Sequence, residues 1–176
     1  SVIEQMQAEQ RKNLEKAWAT RSPEVPFKTK EEALVMASIV EKETGKADER
    51  DRVAAVFINR LRKGMKLESD PTIIYGIAGG AGSLGRAITK ADIQGKTPYN
   101  TYTIAGLPPG PICNPGRAAI EATLRPAKSS DLFFVANGTG GHAFSVTYEE
   151  HKAAVANWRR IEKEAAARRA AAAAAA

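Results

Sequence analysis

The 176-residue chain has one cysteine, Cys113, so no internal disulfide can form. It has two histidines, His142 and His151, far from that cysteine, and no zinc-ligand spacing arises. No apolar run approaches the roughly 20 residues of a membrane span. There is no P-loop, no G-x-G-x-x-G fingerprint and no G-x-S-x-G elbow, which removes the commonest phosphate-binding and serine-nucleophile signatures. Aromatic residues make up only 6% of the chain, and no basic surface is interleaved with them. A nucleic-acid reading therefore has little support despite the net charge of +6. Residues 1–32 balance six basic against six acidic side chains, whereas the segment 152–169 sets six against two. The basicity thus belongs to a C-terminal helix and tail, the pattern of a solvated helical face. The chain opens on Ser1 without a signal peptide, from which an excised or processed fragment is expected.

What is present reads as a helix-rich α+β domain with at least one β-hairpin or small antiparallel sheet, without βαβ alternation. The periodicity predicts a helix over 2–19 with a loose stripe of Val2, Ile3, Met6, Leu14 and Trp18. After the turn "SPEVPF", Thr29 and Glu32 stand in capping-box spacing and open a helix over about 30–44 that Gly45 ends. A further helix is expected from Asp48 to Arg62, and a short one with Asp70 as its cap before Pro71. Residues 77–85 read as a glycine- and alanine-rich mobile loop, and 96–116 as an irregular but ordered one. Asn114 before Pro115 is expected to cap a helix that stops near Pro126. "DLFFVA" and "HAFSVT" flank the turn "NGTGG" as a hairpin, and Thr147 opens the last helix through Trp158. The expected division is an N-terminal helix and linker over 1–28, a catalytic domain over 29–158, and a basic, alanine-rich tail over 159–176.

The chemistry concentrates in "ALVMASIVEKETG". Glu41 and Glu43 end an apolar run whose only polar member is Ser38. At about 100° per residue the two carboxylates lie about 200° apart, so they point away from one another and form no dyad. A carboxyl group kept from water has a raised pKa, and a glutamic acid protonated near neutral pH is the donor that glycosidic cleavage needs. Both residues could equally be helix-end acids paired with Lys42, Lys46 or Arg50. Tyr75, Tyr99, Asn100 and Tyr102 are flat and amide-bearing groups of the kind that stack on sugars and hydrogen-bond to them, or else part of a half-buried core. His142 stands where it could reach a substrate from a hairpin.

Four ordered blocks, "LVMASIVEKETG", "ERDRVAAVFINRLRKGMKLESDPTIIYG", "PYNTYTIAGLPPGPICNPG" and "FFVANGTGGHAFSVTYEEH", resemble the endolytic murein transglycosylase family, the MltG or YceG-like proteins, over about 33–155. The resemblance implies a bacterial inner-membrane-anchored enzyme whose catalytic domain faces the periplasm. It implies cleavage of the MurNAc–GlcNAc β-1,4 bond of peptidoglycan strands, leaving a 1,6-anhydro-MurNAc end, without a cofactor. Glu41, the first glutamate of the E-K-E-T block, is expected as the catalytic residue, acid and then base, with Glu43 in support. Asn59, Asp70, Tyr75, Tyr99, Asn100, Tyr102, Asn114 and His142 are expected to line the glycan groove. Glycan strands and cell-wall synthases are the implied partners, nucleic acid is not, and membrane contact would come only through an upstream anchor. Glu68 departs from the family pattern, where glutamine is expected. A water-using muramidase with Asp70 as second carboxylate, and a non-catalytic glycan-binding module, are the competing readings. A pyridoxal-phosphate lyase is disfavoured, because no lysine stands in a phosphate-binding context.

Overall fold

Four helices share a capping box. Ser1, Thr29, Thr89 and Thr147 each accept a hydrogen bond from the backbone N–H three residues on, and the glutamate or aspartate there returns one. A computed structural model describes all residues 1–176 and sets the elements out as helices α1 (Val2–Ala19), α2 (Lys30–Glu43), α3 (Arg50–Arg62), α4 (Asp70–Ala78), α5 (Lys90–Gln94) and α6 (Arg117–Leu124), strands β1 (Phe133–Ala136) and β2 (His142–Ser145), and α7 (Tyr148–Ala175). A 3₁₀ turn over Gly79–Ala81 follows α4. The helix-rich α+β expectation is met. The molecule divides into two compact units, Ser1–Ser129 and Ser130–Ala176.

In the first unit α2 is the central element. Met36, Ala37, Ile39 and Val40 are fully buried, as its all-round apolar sequence requires. α6 packs on α1, α2 and α3 through Ile120 and Leu124, while Val53, Val56 and Phe57 of α3 close the core. Only Ala17 of α1 is buried, and Val2, Ile3 and Met6 of the expected stripe stay exposed. Ser38 explains itself. Its hydroxyl donates to Val35 O at 2.6 Å and accepts from Ile112 N at 3.0 Å, and its carbonyl accepts from Cys113 Sγ at 3.2 Å. One buried hydroxyl thereby pins the segment before α6 onto α2.

The elements differ from expectation at several points: α3 begins at Arg50 rather than Asp48. α4 is capped by Ser69, not Asp70, and Asp70 is its first residue. α6 begins at Arg117 with Gly116 as cap, so Asn114 lies outside it and accepts from Gln10 Nε2 instead. α5, with its Thr89–Asp92 capping box, was not anticipated, because five residues are too few to show a period.

In the second unit β1 and β2 pair antiparallel, Phe133 opposite Ser145 and Ala136 opposite His142. Gly138 and Gly140 adopt the positive φ that the turn needs. α7 packs on both strands and continues well past Trp158, to Ala175.

Candidate functional site

The last turn of α2 sends its two glutamates to different partners, as their spacing requires. Glu41 Oε1 accepts from Gly116 N at 2.7 Å, so this carboxylate meets the N-terminus of α6. A side chain at Gly116 would press on it, since a Cβ there would stand 3.0 Å from Glu41 Oε1. Glu43 Oε1 accepts from Ser69 Oγ at 2.7 Å, at the start of α4. Burial pushes the Glu43 carboxyl up from 4.5 to about 7 and outweighs the Ser69 hydrogen bond, and the negative charge of Asp70 adds to the rise. Of the two carboxyls, it is Glu43 that burial acts on most strongly. Periodicity separates the two faces but does not say which one α4 covers.

Asp70 is held by Tyr102, whose hydroxyl donates to its Oδ1 at 2.7 Å. Burial, then the bond to Asp70, raises the Tyr102 pKa, so the phenol keeps its proton and acts as donor. Arg60, only 7% exposed, ties the same region together. Its Nε donates to Lys66 O at 2.9 Å, and its guanidinium meets Glu68 Oε2 at 3.3 Å. Glu68 is the one non-glycine residue with positive φ, at 52°. Its departure from the expected glutamine thus falls on a strained position that an arginine holds.

The fit between the Tyr102 loop and α4 rests on buried hydroxyls. Thr101 Oγ1 accepts from Ser69 N at 2.8 Å and lies 2.8 Å from Thr72 Oγ1, which donates to Ser69 O at 2.6 Å. Gly76 completes the contact, because a Cβ there would stand 2.2 Å from Thr97 Oγ1. Sequence reading missed Ser69, Thr72 and Thr101. The "SDPT" capping spacing was a signal for Ser69, but nothing in the chain's pattern marks Thr101.

Beside this cluster opens a cavity of about 560 Å³. It is lined by Lys42 of α2, Pro71, Ile74 and Tyr75 of α4, Ile112 and Cys113 before α6, and the glycines of the 79–82 turn. Glu41 and Glu43 flank Lys42 in sequence without lining the cavity themselves. Tyr99 packs edge-on against Tyr75, ring centres 4.7 Å apart, and so backs the wall. Burial pushes the Cys113 thiol up to about 11, against the opposing charge of Lys42.

The remaining candidates are held by contacts of their own. Asn100 is buried, its amide donating to Ile93 O and Gly95 O and its Oδ1 accepting from Tyr102 N. It shapes the loop, and at 1% exposure its amide is out of reach of a sugar. Asn59 Nδ2 donates to Ser129 O at 2.9 Å, in a separate small recess with Arg62 and Ser22. Asn114, as noted, meets α1. His142 belongs to the second unit, edge-on to Phe134 at 5.2 Å. No group of histidine, cysteine or carboxylate side chains is arranged to hold a metal ion, and no helix is long and apolar enough to cross a membrane.

Residues 1–157 match the model of the YceG-like family. An endolytic murein transglycosylase of Bacillus subtilis (strain 168) is 41% identical over 121 residues, 69% of this chain and 32% of its own length. One of Streptococcus pneumoniae serotype 2 (strain D39) is 38% identical over 156 residues, 85% of this chain and 27% of its own length. The crystal structure of a yceG-like protein from Listeria monocytogenes superimposes with a TM-score of 0.62 at 43% identity, covering 69% of this chain and 38% of that one. The chain thus spans about a third or less of the curated relatives' length. The match over residues 1–157 includes every element of the Glu43–Asp70–Tyr102 cluster, and on it the chain belongs to the YceG-like family.

Proposed function

We propose that this chain is the catalytic part of an endolytic peptidoglycan lytic transglycosylase, with Glu43 as its acid and base. The observation that carries the reading is the setting of Glu43, at the end of a buried helix against Ser69 and beside Asp70. The names of the relatives support the reaction class. The bond cleaved is the MurNAc–GlcNAc β-1,4 link, and the site of action is outside the cytoplasmic membrane, where that polymer lies.

A carboxyl group that titrates near 7 is half protonated at neutral pH, where a general acid works best. Ser69 donates to Oε1, which leaves Oε2 to carry the proton. Glu43 gives it to the glycosidic oxygen as the C1–O bond breaks. The muramoyl C6 hydroxyl attacks C1, and the Glu43 carboxylate takes the hydroxyl proton as the anhydro ring closes. No water is consumed, so one carboxyl group suffices. Glu41, anchored on Gly116, holds the start of α6 to the end of α2.

The test compares Glu43→Gln with Glu41→Gln on purified sacculi. Loss of a general acid lowers the rate by about 10²–10⁴-fold, and this is expected of Glu43→Gln alone. Glu41→Gln is expected to keep most of the rate and lose about 1 kcal/mol of stability with its charged hydrogen bond. The reverse pattern returns the acid to Glu41. A second reading, a muramidase that uses water, draws on Asp70 standing next to Glu43 as a second carboxylate. Mass spectrometry separates the two, because hydrolysis leaves reducing ends heavier by one water.

A further inference from the structure

We propose that the cavity beside Lys42 is the subsite for the lactyl-peptide stem of a muramoyl residue, with the Lys42 ammonium pairing with a stem carboxylate. The inference rests on the peptidoglycan reading above and deepens it.

Three features of the cavity select this occupant. The first is charge. Lys42 is the only charged side chain in the lining and forms no ion pair, although a glutamate stands on either side of it in sequence. Those glutamates are engaged elsewhere, Glu41 on Gly116 and Glu43 on Ser69. The N-acetylated sugar rings are neutral, and where a stem is attached the lactyl carboxyl is tied up as its amide, so the anionic groups are the carboxylates of the stem. A free cation at the wall therefore has its counterpart on the stem and none on the sugar backbone.

The second feature is polarity. No asparagine, glutamine, aspartate, glutamate, serine or threonine lines the cavity. A pyranose needs such groups to bracket its hydroxyls. Pro71, Ile74, Ile112 and the Tyr75 ring offer apolar surface instead, suited to the methyl groups of a lactyl ether and an alanyl residue. The third is position. The negative charge of Glu41 reaches Cys113 in the lining, and Ser69, which bonds Glu43, stands two residues before Pro71, so the cavity lies close to the last turn of α2 and the start of α4. On this proposal a muramoyl ring held at the end of α2 turns its 3-O-lactyl substituent toward that cavity. The volume, about 560 Å³, lies within the usual range for sites that enclose a small ligand.

Calorimetry on the Glu43→Gln chain, with and without Lys42→Gln, tests the proposal. The probes are GlcNAc–MurNAc–L-Ala–D-Glu, the same compound with its carboxylates amidated, and peptide-free chitotetraose. The free acid is expected to bind more tightly than the amide. Lys42→Gln is expected to weaken the free acid about three- to tenfold, bringing it level with the amide, as raised salt also does. Lys42 is exposed, so the variant's melting temperature should match its parent's and show that the change is one of binding. Equal affinity for acid and amide, or an equal loss on both in the variant, overturns the subsite. Chitotetraose binding to which the stem adds nothing overturns the subsite and leaves the enzyme reading standing. Failure of all three probes to bind overturns both.

Discussion

At the scale of the residue, the Glu43 carboxyl links structure to pH. Its folded pKa lies near 7, against 4.5 when free, because burial penalises the charged form. Between those values the native state binds more protons than the unfolded chain. Stability is therefore greatest below about 4.5 with respect to this group and declines as pH rises through about 7. Glu43→Gln mimics the protonated form and removes this decline. Urea melts of both chains at pH 5, 6, 7 and 8 are expected to converge at the acid end and to show the variant as the more stable at pH 8. Ser69 works against the rise, since its hydroxyl favours the carboxylate. Ser69→Ala is expected to move the Glu43 titration, followed by the pH dependence of cleavage or by NMR of the carboxyl carbon, to still higher pH.

At the scale of the element, the join between α4 and the Tyr102 loop depends on Thr101. Its hydroxyl receives the Ser69 N–H in a place that water does not reach. Thr101→Val keeps the shape and strands that donor, which costs about 1–3 kcal/mol. A fall of that size in a denaturant melt checks it, with Thr103→Val as the control, since Thr103 is less buried and bonds only within its own turn. The helix that holds the two glutamates was legible in the sequence because a capping box marks the start of α2 and an apolar run its body. The hairpin was legible from its glycine turn and alternating flanks. The caps of α4 and α6 were misread because proline invites the residue before it as cap. At α4 Pro71 is the second residue, and at α6 Pro115 precedes Gly116. Asn100 read as a sugar ligand because an exposed and a buried amide look alike in sequence. The different partners of Glu41 and Glu43 were not legible, since Ser69 and Gly116 are 26 and 75 residues away.

At the scale of the whole molecule, the two units differ in how they are held. The first has a core of fully buried side chains, whereas α7 in the second buries none completely. Within that unit Ile161 still packs on Gly138, but residues 166–176 are exposed throughout. Removing 166–176 is expected to change stability by no more than about 0.5 kcal/mol, as a thermal melt would show. The extension of α7 there follows from alanine's helix propensity rather than from packing.

Ser38 has one further consequence. Because it fastens Ile112 and Cys113 to α2, and Glu41 fastens Gly116 to the same helix, that jaw of the cavity cannot swing independently of the glutamates. Any widening to admit a bulky guest must come from the opposite lip, where Gly79, Gly80 and Gly82 have no side chains to anchor them. The two glutamates of α2 thus sit on the fixed half of a vice whose other half is the part free to yield.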